Sequence, residues 1–270
     1  MSNINDSDRV KAQYSSAKNL SARVRLHQLY STNKQGWTNW VFAHYNLRPG
    51  QAVLELGCGN GGIWKANLSK ISGDVHLVLT DLSEGMLSAA RENLPGLECV
   101  EYKVMDAQDI AYSDGVFDVV IANHMLYHVP DRRRALSEVA RVLKPDGVFL
   151  ATTVGAHNMA ELGTILQGFD VRVYSPQVRV FTLENGGEQL AEFFGHVETE
   201  RYVDSLHITE AQPLVDYVLS LGGISDVVGI IDAERVPAFA DYVAELLARE
   251  GYIDINKEGG IFIATNPRKE

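Results

Sequence analysis

Four glycines arrive within six positions in the stretch Val53-Leu54-Glu55-Leu56-Gly57-Cys58-Gly59-Asn60-Gly61-Gly62, directly behind an acidic residue. A buried strand that breaks into closely spaced glycines lets the main chain approach a ligand more closely than any Cβ would allow. A carboxylate at Glu55 works against a pyrophosphate and suits a ligand with a cationic end. Three further apolar runs close on polar residues: Val75–Thr80 on Asp81, Glu98–Met105 on Asp106-Ala107, and Val116–Ala122 on Asn123-His124. Asp81 lies 19 residues beyond Gly62 (81 − 62), a spacing at which a carboxylate accepts both hydroxyls of a ribose. Asp106 is placed to accept from an exocyclic amine, with Ala107 donating its main-chain N–H to the same ring and Leu82 and Met86 packing on the purine face. Either aspartate alone would also serve as a helix N-cap; the set, at successive strand ends, is what points to a site.

The elements that must hold these residues follow from periodicity. Strand and helix alternate from Ala52 to Thr153, with helices over Ile63–Leu68, Ser83–Asn93 and Asp131–Leu143 and a turn at Lys144-Pro145-Asp146-Gly147 before strand Val148–Thr153. That alternation predicts an α/β fold, a parallel sheet covered on both faces, with ligands at the carboxyl ends of its strands. Upstream, residues 6–30 read as a helix with Val10, Tyr14, Ala17, Leu20, Val24 and Leu29 on one face, and a second helix spans Trp37–Tyr45. Tyr14, Tyr30, Trp37 and Trp40 read either as a cap over the site or as core. Downstream come helices near Met159–Leu166 and Gly187–Phe194, a strand over Val197–Ile208, helices Ala211–Leu221 and Ala233–Arg249, and a last strand Gly260–Thr265. The organisation is therefore an N-terminal helical cap (1–49), a ligand-binding core (50–155), and a C-terminal part (156–270) whose helical insertion at about 209–250 would lie over one end of the sheet as a lid.

At this point the motifs resemble those of class I S-adenosylmethionine-dependent methyltransferases. Glu-Leu-Gly-Cys-Gly-Asn-Gly matches the acidic-x-G-x-G-x-G signature, Leu79–Leu87 the second-strand motif, Val104–Ile110 the third, Phe117–Val129 the fourth, and Val142–Leu150 the approach to the fifth strand. The likeness is strong over about residues 50–155 and weak at the last strand. It implies a Rossmann-like sheet of seven strands, mostly parallel with the last antiparallel, and S-adenosyl-L-methionine as cofactor. On this reading the cofactor contacts are Tyr14, Glu55, Gly57, Cys58, Gly59, Asn60, Asp81, Leu82, Met86, Asp106, Ala107 and Asn123, with Tyr14 closing over the site from the N-terminal helix. Some quinone-type members carry acidic residues and a histidine after the fourth strand, where this chain has His124 and Tyr127.

Methyl transfer needs an acceptor aligned with the donor and, for a hydroxyl, thiol or acidic carbon, a base. His124 is the first candidate and His157, after the fifth strand, the second; His128 reads as a loop histidine. His124 and His128 have no carboxylate between them, so no metal is expected. Two other functions stay open. Gly57, Gly59 and Gly62 also satisfy G-x-G-x-x-G, so an NAD(P)-dependent oxidoreductase is the first; a protein that holds the cofactor without turnover is the second. A net charge of −11 and a pI near 5.2 argue against nucleic acid, for which clustered Lys/Arg would be needed. Amino-methylating DNA enzymes carry Pro-Pro where His124-Met125 stands, and cytosine-C5 enzymes need a cysteine there. A small-molecule acceptor remains. Two cysteines, Cys58 and Cys99, no secretory signal and no apolar run of membrane length lead to the expectation of a cytoplasmic protein.

Overall fold

The computed structural model describes residues 17–71, 73–97, 100–171, 180–221 and 231–269, with side chains from residue 23 onward; Tyr14 and Cys99 lie outside these residues. The sheet has seven strands: β1 (Ala52–Leu56), β2 (His76–Asp81), β3 (Val100–Val104), β4 (Phe117–Asn123), β5 (Leu143–Val154), β6 (Phe194–Ile208) and β7 (Ile253–Pro267). Their order is β3-β2-β1-β4-β5-β7-β6. The first five pair in parallel, and β7 runs antiparallel to both β5 and β6. The expected Rossmann-like architecture is present, and its strand order reverses between β1 and β4.

Alternation along each strand divides the core between the two faces. Leu54, Val120 and Phe149 point to one face, packed under α5 (Arg132–Val142), with Phe181, Phe194 and Phe262. Val53, Leu77 and Ile121 point to the other, under α2 (Trp37–Tyr45) and α3 (Gly62–Ala66). Local signals set the helix ends. Ser83 accepts from the Met86 N–H at the start of α4 (Glu84–Asn93), and Asp131 from the Arg134 N–H at the start of α5. Arg141 reaches from α5 to the carbonyls of Ile110 and Tyr112 while Glu138 takes the Ile110 N–H, pinning the segment after Asp106.

Three elements depart from the sequence reading. The Lys144–Gly147 turn is absorbed into β5, with a register irregularity between Phe117 and Val119 on the neighbouring strand. The last strand begins at Ile253: the Asn256–Gly260 tract reads as a turn, but pairing with β6 from Ile208↔Ile253 onward overrides that local preference. On α1 (Ala17–Tyr30), Val24 and Leu29 are exposed and the inward face carries Leu26 and His27. Apolar residues scattered all round this helix left its buried face to be chosen by tertiary contact.

Only Gly259–Thr265 of β7 pairs with β5, so Ile253–Glu258 and its β6 partners continue as a two-stranded ribbon past the carboxyl end of β5. A ribbon with one apolar face needs a cover. Leu206, Ile208, Ile253 and Ile255 take theirs from α1, α6 (Ala160–Gly168), α8 (Ala211–Ser220) and α9 (Val236–Glu250), forming a second core. The short α7 (Gly186–Ala191) precedes β6. The two N-terminal helices thus part company, α1 joining the insertion and α2 the sheet.

Asp204 fastens the link between them. Its buried carboxylate accepts from Lys257 Nζ and Ser31 Oγ, both at 2.5 Å, and from the Asn33 N–H at 2.9 Å. Asp204→Ala leaves Lys257 partly buried without its partner, and is expected to lower unfolding free energy by about 3 kcal/mol, read from urea midpoints.

Candidate active site

Glu55 is the centre of the site. It points from β1 toward α2 and α3 and is almost wholly buried, at 2% exposure. One oxygen accepts from the Trp64 indole N–H of α3, the other from Asn123 Nδ2 of β4 at 2.7 Å. The Asn123 amide also donates to the Tyr45 hydroxyl at 2.7 Å, and its oxygen accepts from Thr152 Oγ1 of β5 at 3.2 Å. Burial raises the Glu55 pKa to about 7, against the pull of the Trp64 and Asn123 hydrogen bonds. The sequence reading missed Trp64 and Tyr45; an isolated tryptophan in a short helix gives no hint that its N–H will serve an acid nine residues earlier.

The glycine turn sits above this acid. Gly57 and Gly59 have φ of 66° and 56°, and a Cβ at Gly59 would meet nothing within 4 Å. The turn is open at Gly59 and closed at Gly57, where a Cβ would meet the Met125 side chain at 3.0 Å. Asp81 braces the turn: one oxygen accepts from the Gly59 N–H at 3.0 Å, the other from the Ser83 N–H at 2.9 Å. Burial raises the Asp81 pKa in spite of these bonds. Cys58 is buried, its N–H bonded to the Thr80 carbonyl and its thiol pKa pushed well up by burial, so it can offer a ligand main chain only. The Asn60 carbonyl is held by Asn93 at 3.0 Å. Leu82 is half-buried and Met86 buried at the head of α4. Asp106 is gripped by the Gln108 amide through both carboxylate oxygens, beside an Ala107 whose methyl lies in the core.

His124 follows Asn123 with φ 48°, its N–H donated to Thr152 at both the carbonyl and the hydroxyl. Its ring lies 5.1 Å from that of Trp37, which also meets Tyr202 of β6 at 5.3 Å. Burial, with Lys257 and His128 adding to it, lowers the His124 pKa to about 4. His128, in the turn Leu126–His128, is lowered to about 4 by burial and by Arg23. His27, which the sequence reading passed over, joins them: burial and Lys257 lower it to about 4, His124 contributes, and Asp204 opposes. His157 stands apart with an exposed side chain, its N–H tied to Glu258. The structure therefore gathers His124, His128 and His27, and leaves His157 outside that group. Among the described residues no group of three His, Cys, Asp or Glu is arranged to hold a metal.

Residues 54–151 match a family model described as a methyltransferase domain. Phosphoethanolamine N-methyltransferase 1 of Arabidopsis thaliana is 41% identical over 106 residues, which are 39% of this chain and 21% of that protein. A ubiquinone/menaquinone biosynthesis C-methyltransferase of Hydrogenovibrio crunogenus is 32% identical over 114 residues, 41% of this chain and 45% of its own length. The chain thus spans less than half the length of these relatives. In fold it is similar to phosphoethanolamine N-methyltransferase 2 of Haemonchus contortus, solved with phosphomonomethylethanolamine and S-adenosylhomocysteine. That likeness has a TM-score of 0.52 at 21% identity over 86% of this chain and 53% of that one. The matched segment is thus similar in sequence to a methyltransferase domain, and the sheet around it is similar in fold to a solved methyltransferase.

The buried acid makes a pH prediction. In the folded protein Glu55 holds a proton that the unfolded chain releases near pH 4.5, so its contribution to stability falls as pH rises from about 4.5 to about 7 and is flat above. Urea unfolding of the wild type and Glu55→Gln across that window should show their stability difference changing between those limits; a difference constant with pH refutes the raised pKa.

Proposed function

We propose that this chain is an S-adenosylmethionine-dependent methyltransferase acting on a small-molecule acceptor. The observation that carries this reading is the placement of three carboxylates, Glu55, Asp81 and Asp106, at the ends of β1, β2 and β3 around a glycine turn left open at Gly59. The donor set fits that cofactor: an acidic floor for the cationic amino-acid end and acceptors for ribose hydroxyls and an adenine amine. It does not favour a dinucleotide. A pyrophosphate would need a helix N-terminus above uncharged ground, and α3 is a five-residue helix over a buried acid.

When bound, the cofactor supplies a methyl group activated by a positive sulfur. Glu55 and the turn through Gly57, Cys58, Gly59 and Asn60 take the amino-acid end, Glu55 acting through the Trp64 and Asn123 network that fixes it. Asp81 takes the ribose hydroxyls. Asp106 and the Ala107 N–H take the adenine edge, and Leu82 and Met86 its face. The helical insertion carried on the β6–β7 ribbon acts as the lid, excluding water and holding the acceptor in line with the methyl. His124, its pKa lowered to about 4 by burial, is uncharged at neutral pH and so can accept a hydrogen bond from an acceptor hydroxyl, as a weaker base than a free imidazole. A net charge of −11 weighs against a nucleic-acid acceptor. A cytoplasmic setting belongs to this proposal and is supported by the free, buried thiol of Cys58; among the described residues no helix is long and apolar enough to cross a membrane.

Calorimetric titration with S-adenosylhomocysteine and, separately, NAD(H) decides the cofactor: uptake of the first is expected, and uptake of NAD(H) alone refutes methyl transfer. Asp81→Ala should weaken S-adenosylhomocysteine binding by about tenfold or more, having lost charged hydrogen bonds; unchanged affinity shows that the ribose lies elsewhere. His124→Ala should lower kcat by about 10²-fold or more with little change in cofactor affinity, and the reverse pattern removes His124 from the acceptor side.

A further inference from the structure

Asp106, just past the end of β3, is held by a residue that follows it closely in the chain. Its Oδ1 accepts from the Gln108 main-chain N–H and from Gln108 Nε2, each at 2.9 Å, and its Oδ2 accepts from the same Nε2 at 3.0 Å. The amide can stand only this way round, because its oxygen accepts from the Asp131 N–H at 3.0 Å. Asp131 in turn caps α5 through the Arg134 N–H, so Gln108 joins the end of β3 to the start of that helix. The main chain on either side is fixed as well. The Met105 N–H goes to the Asp81 carbonyl, and the Asp109 N–H to the Asp106 carbonyl.

Lone pairs decide what this clasp leaves over. Oδ1 accepts two of the three bonds and is filled; Oδ2 accepts one and keeps one lone pair. The three bonds come from neutral amide groups, which fix the carboxylate without cancelling its charge. An amide nitrogen bonded to both oxygens at once also restrains the plane of the carboxylate, and with it the direction of the remaining lone pair. Asp106 is half-buried, so a carboxylate released from the clasp would turn toward water. A single amine N–H fits the acceptor that remains. A carbonyl oxygen in the same place meets a second acceptor and no hydrogen, which a site of this kind rejects.

We propose that Gln108 is a positioning residue for the cofactor's base: by clasping Asp106 it aims one charged acceptor at the ring edge, and so makes the site select a 6-aminopurine over a 6-oxopurine. The proposal rests on the methyl-transfer reading above, in which Asp106 takes the adenine amine, and adds the residue that makes that contact selective. Gln108 acts through Asp106, since both ends of its own amide are engaged within the protein.

The test is calorimetry on the full chain with two probes, S-adenosylhomocysteine and S-inosylhomocysteine, in which a 6-oxo group replaces the adenine amine. The wild type should bind the first at least about tenfold more tightly. Gln108→Met keeps the length of the side chain and removes its amide. It should weaken S-adenosylhomocysteine about tenfold and leave S-inosylhomocysteine nearly unchanged, so that the preference collapses. Gln108→Glu keeps an oxygen for the Asp131 N–H, and with it the tie to α5, but sets a carboxylate against Asp106. Two carboxyl groups in contact share a proton at low pH, so this variant should bind S-adenosylhomocysteine as weakly as Gln108→Met at pH 8 and recover toward the wild type at pH 5.5. The ratio to wild type is read at each pH; Glu55, Asp109 and Asp131 are common to both proteins and cancel in it. A preference unchanged in Gln108→Met, or both probes weakened equally, reduces Gln108 to a structural residue and overturns the proposal. So does a Gln108→Glu ratio that stays constant with pH, or a wild type that binds the two probes equally. Failure of the wild type to take up S-adenosylhomocysteine overturns the methyl-transfer reading itself, and this proposal with it.

Discussion

A carboxyl group with 2% exposure, Glu55, ties together the parts on which the site depends. Its two oxygens join β1 to α3 through Trp64 and to β4 through Asn123, and Asn123 extends the chain of bonds to α2 through Tyr45 and to β5 through Thr152. Strand order reverses between β1 and β4, where an open parallel sheet leaves its crevice. A polar network at that crevice costs desolvation, which here shows as the raised pKa of the acid. It also fixes the strand ends relative to one another more sharply than apolar packing would, because each donor and acceptor accepts a narrow range of angles. A cationic ligand end arriving at the glycine turn, as the proposed function has it, would favour the ionised acid.

The two cores divide the labour. The sheet and its helices hold the turn, Asp81 and Asp106; the ribbon core holds α1, α8 and α9 above the carboxyl end of β5. They meet along a line of side chains from Trp37 through His124 and Tyr202 to Lys257 and Asp204. A Cβ at Gly259 would lie 3.0 Å from the Trp37 ring, so a larger residue at this seam has to displace that ring by a few tenths of an ångström. Because β6 and β7 belong to both cores, the helices above are carried on strands whose other halves are locked into the sheet.

The donor half of this arrangement was legible in the sequence because it is local. Glycine spacing and apolar runs ending in acids each act within a few residues, and the strand ends Asp81 and Asn123 were read to the residue. The inward face of α1 was not. His27 sits within a helix whose apolar residues are spread around it, and what turns it inward is contact with Tyr217, far along the chain. The start of β7 was missed for a related reason: Lys257-Glu258-Gly259-Gly260 has turn composition, and only its partner strand makes it extended. His157, the second candidate base after His124 on sequence grounds, ends on an exposed turn because β5 finishes at Val154 and its N–H is taken by Glu258.

His124 itself shows how the local and the distant combine. A residue with a Cβ in the left-handed region costs about 1 kcal/mol or more, and such residues persist only where their surroundings over-determine them. Here the over-determination is visible. The His124 N–H is held by the Thr152 carbonyl and hydroxyl, Asn123 before it is fixed by Glu55 and Tyr45, and the ring is backed by Trp37. Relaxing φ to an extended value would continue β4 and carry the imidazole away from the end of the sheet. The left-handed residue instead ends the strand, leaving the ring beside the crevice and within electrostatic reach of His27 and His128. Strain at this one residue therefore places an uncharged imidazole at the junction of the two cores, beside the crevice at the strand ends.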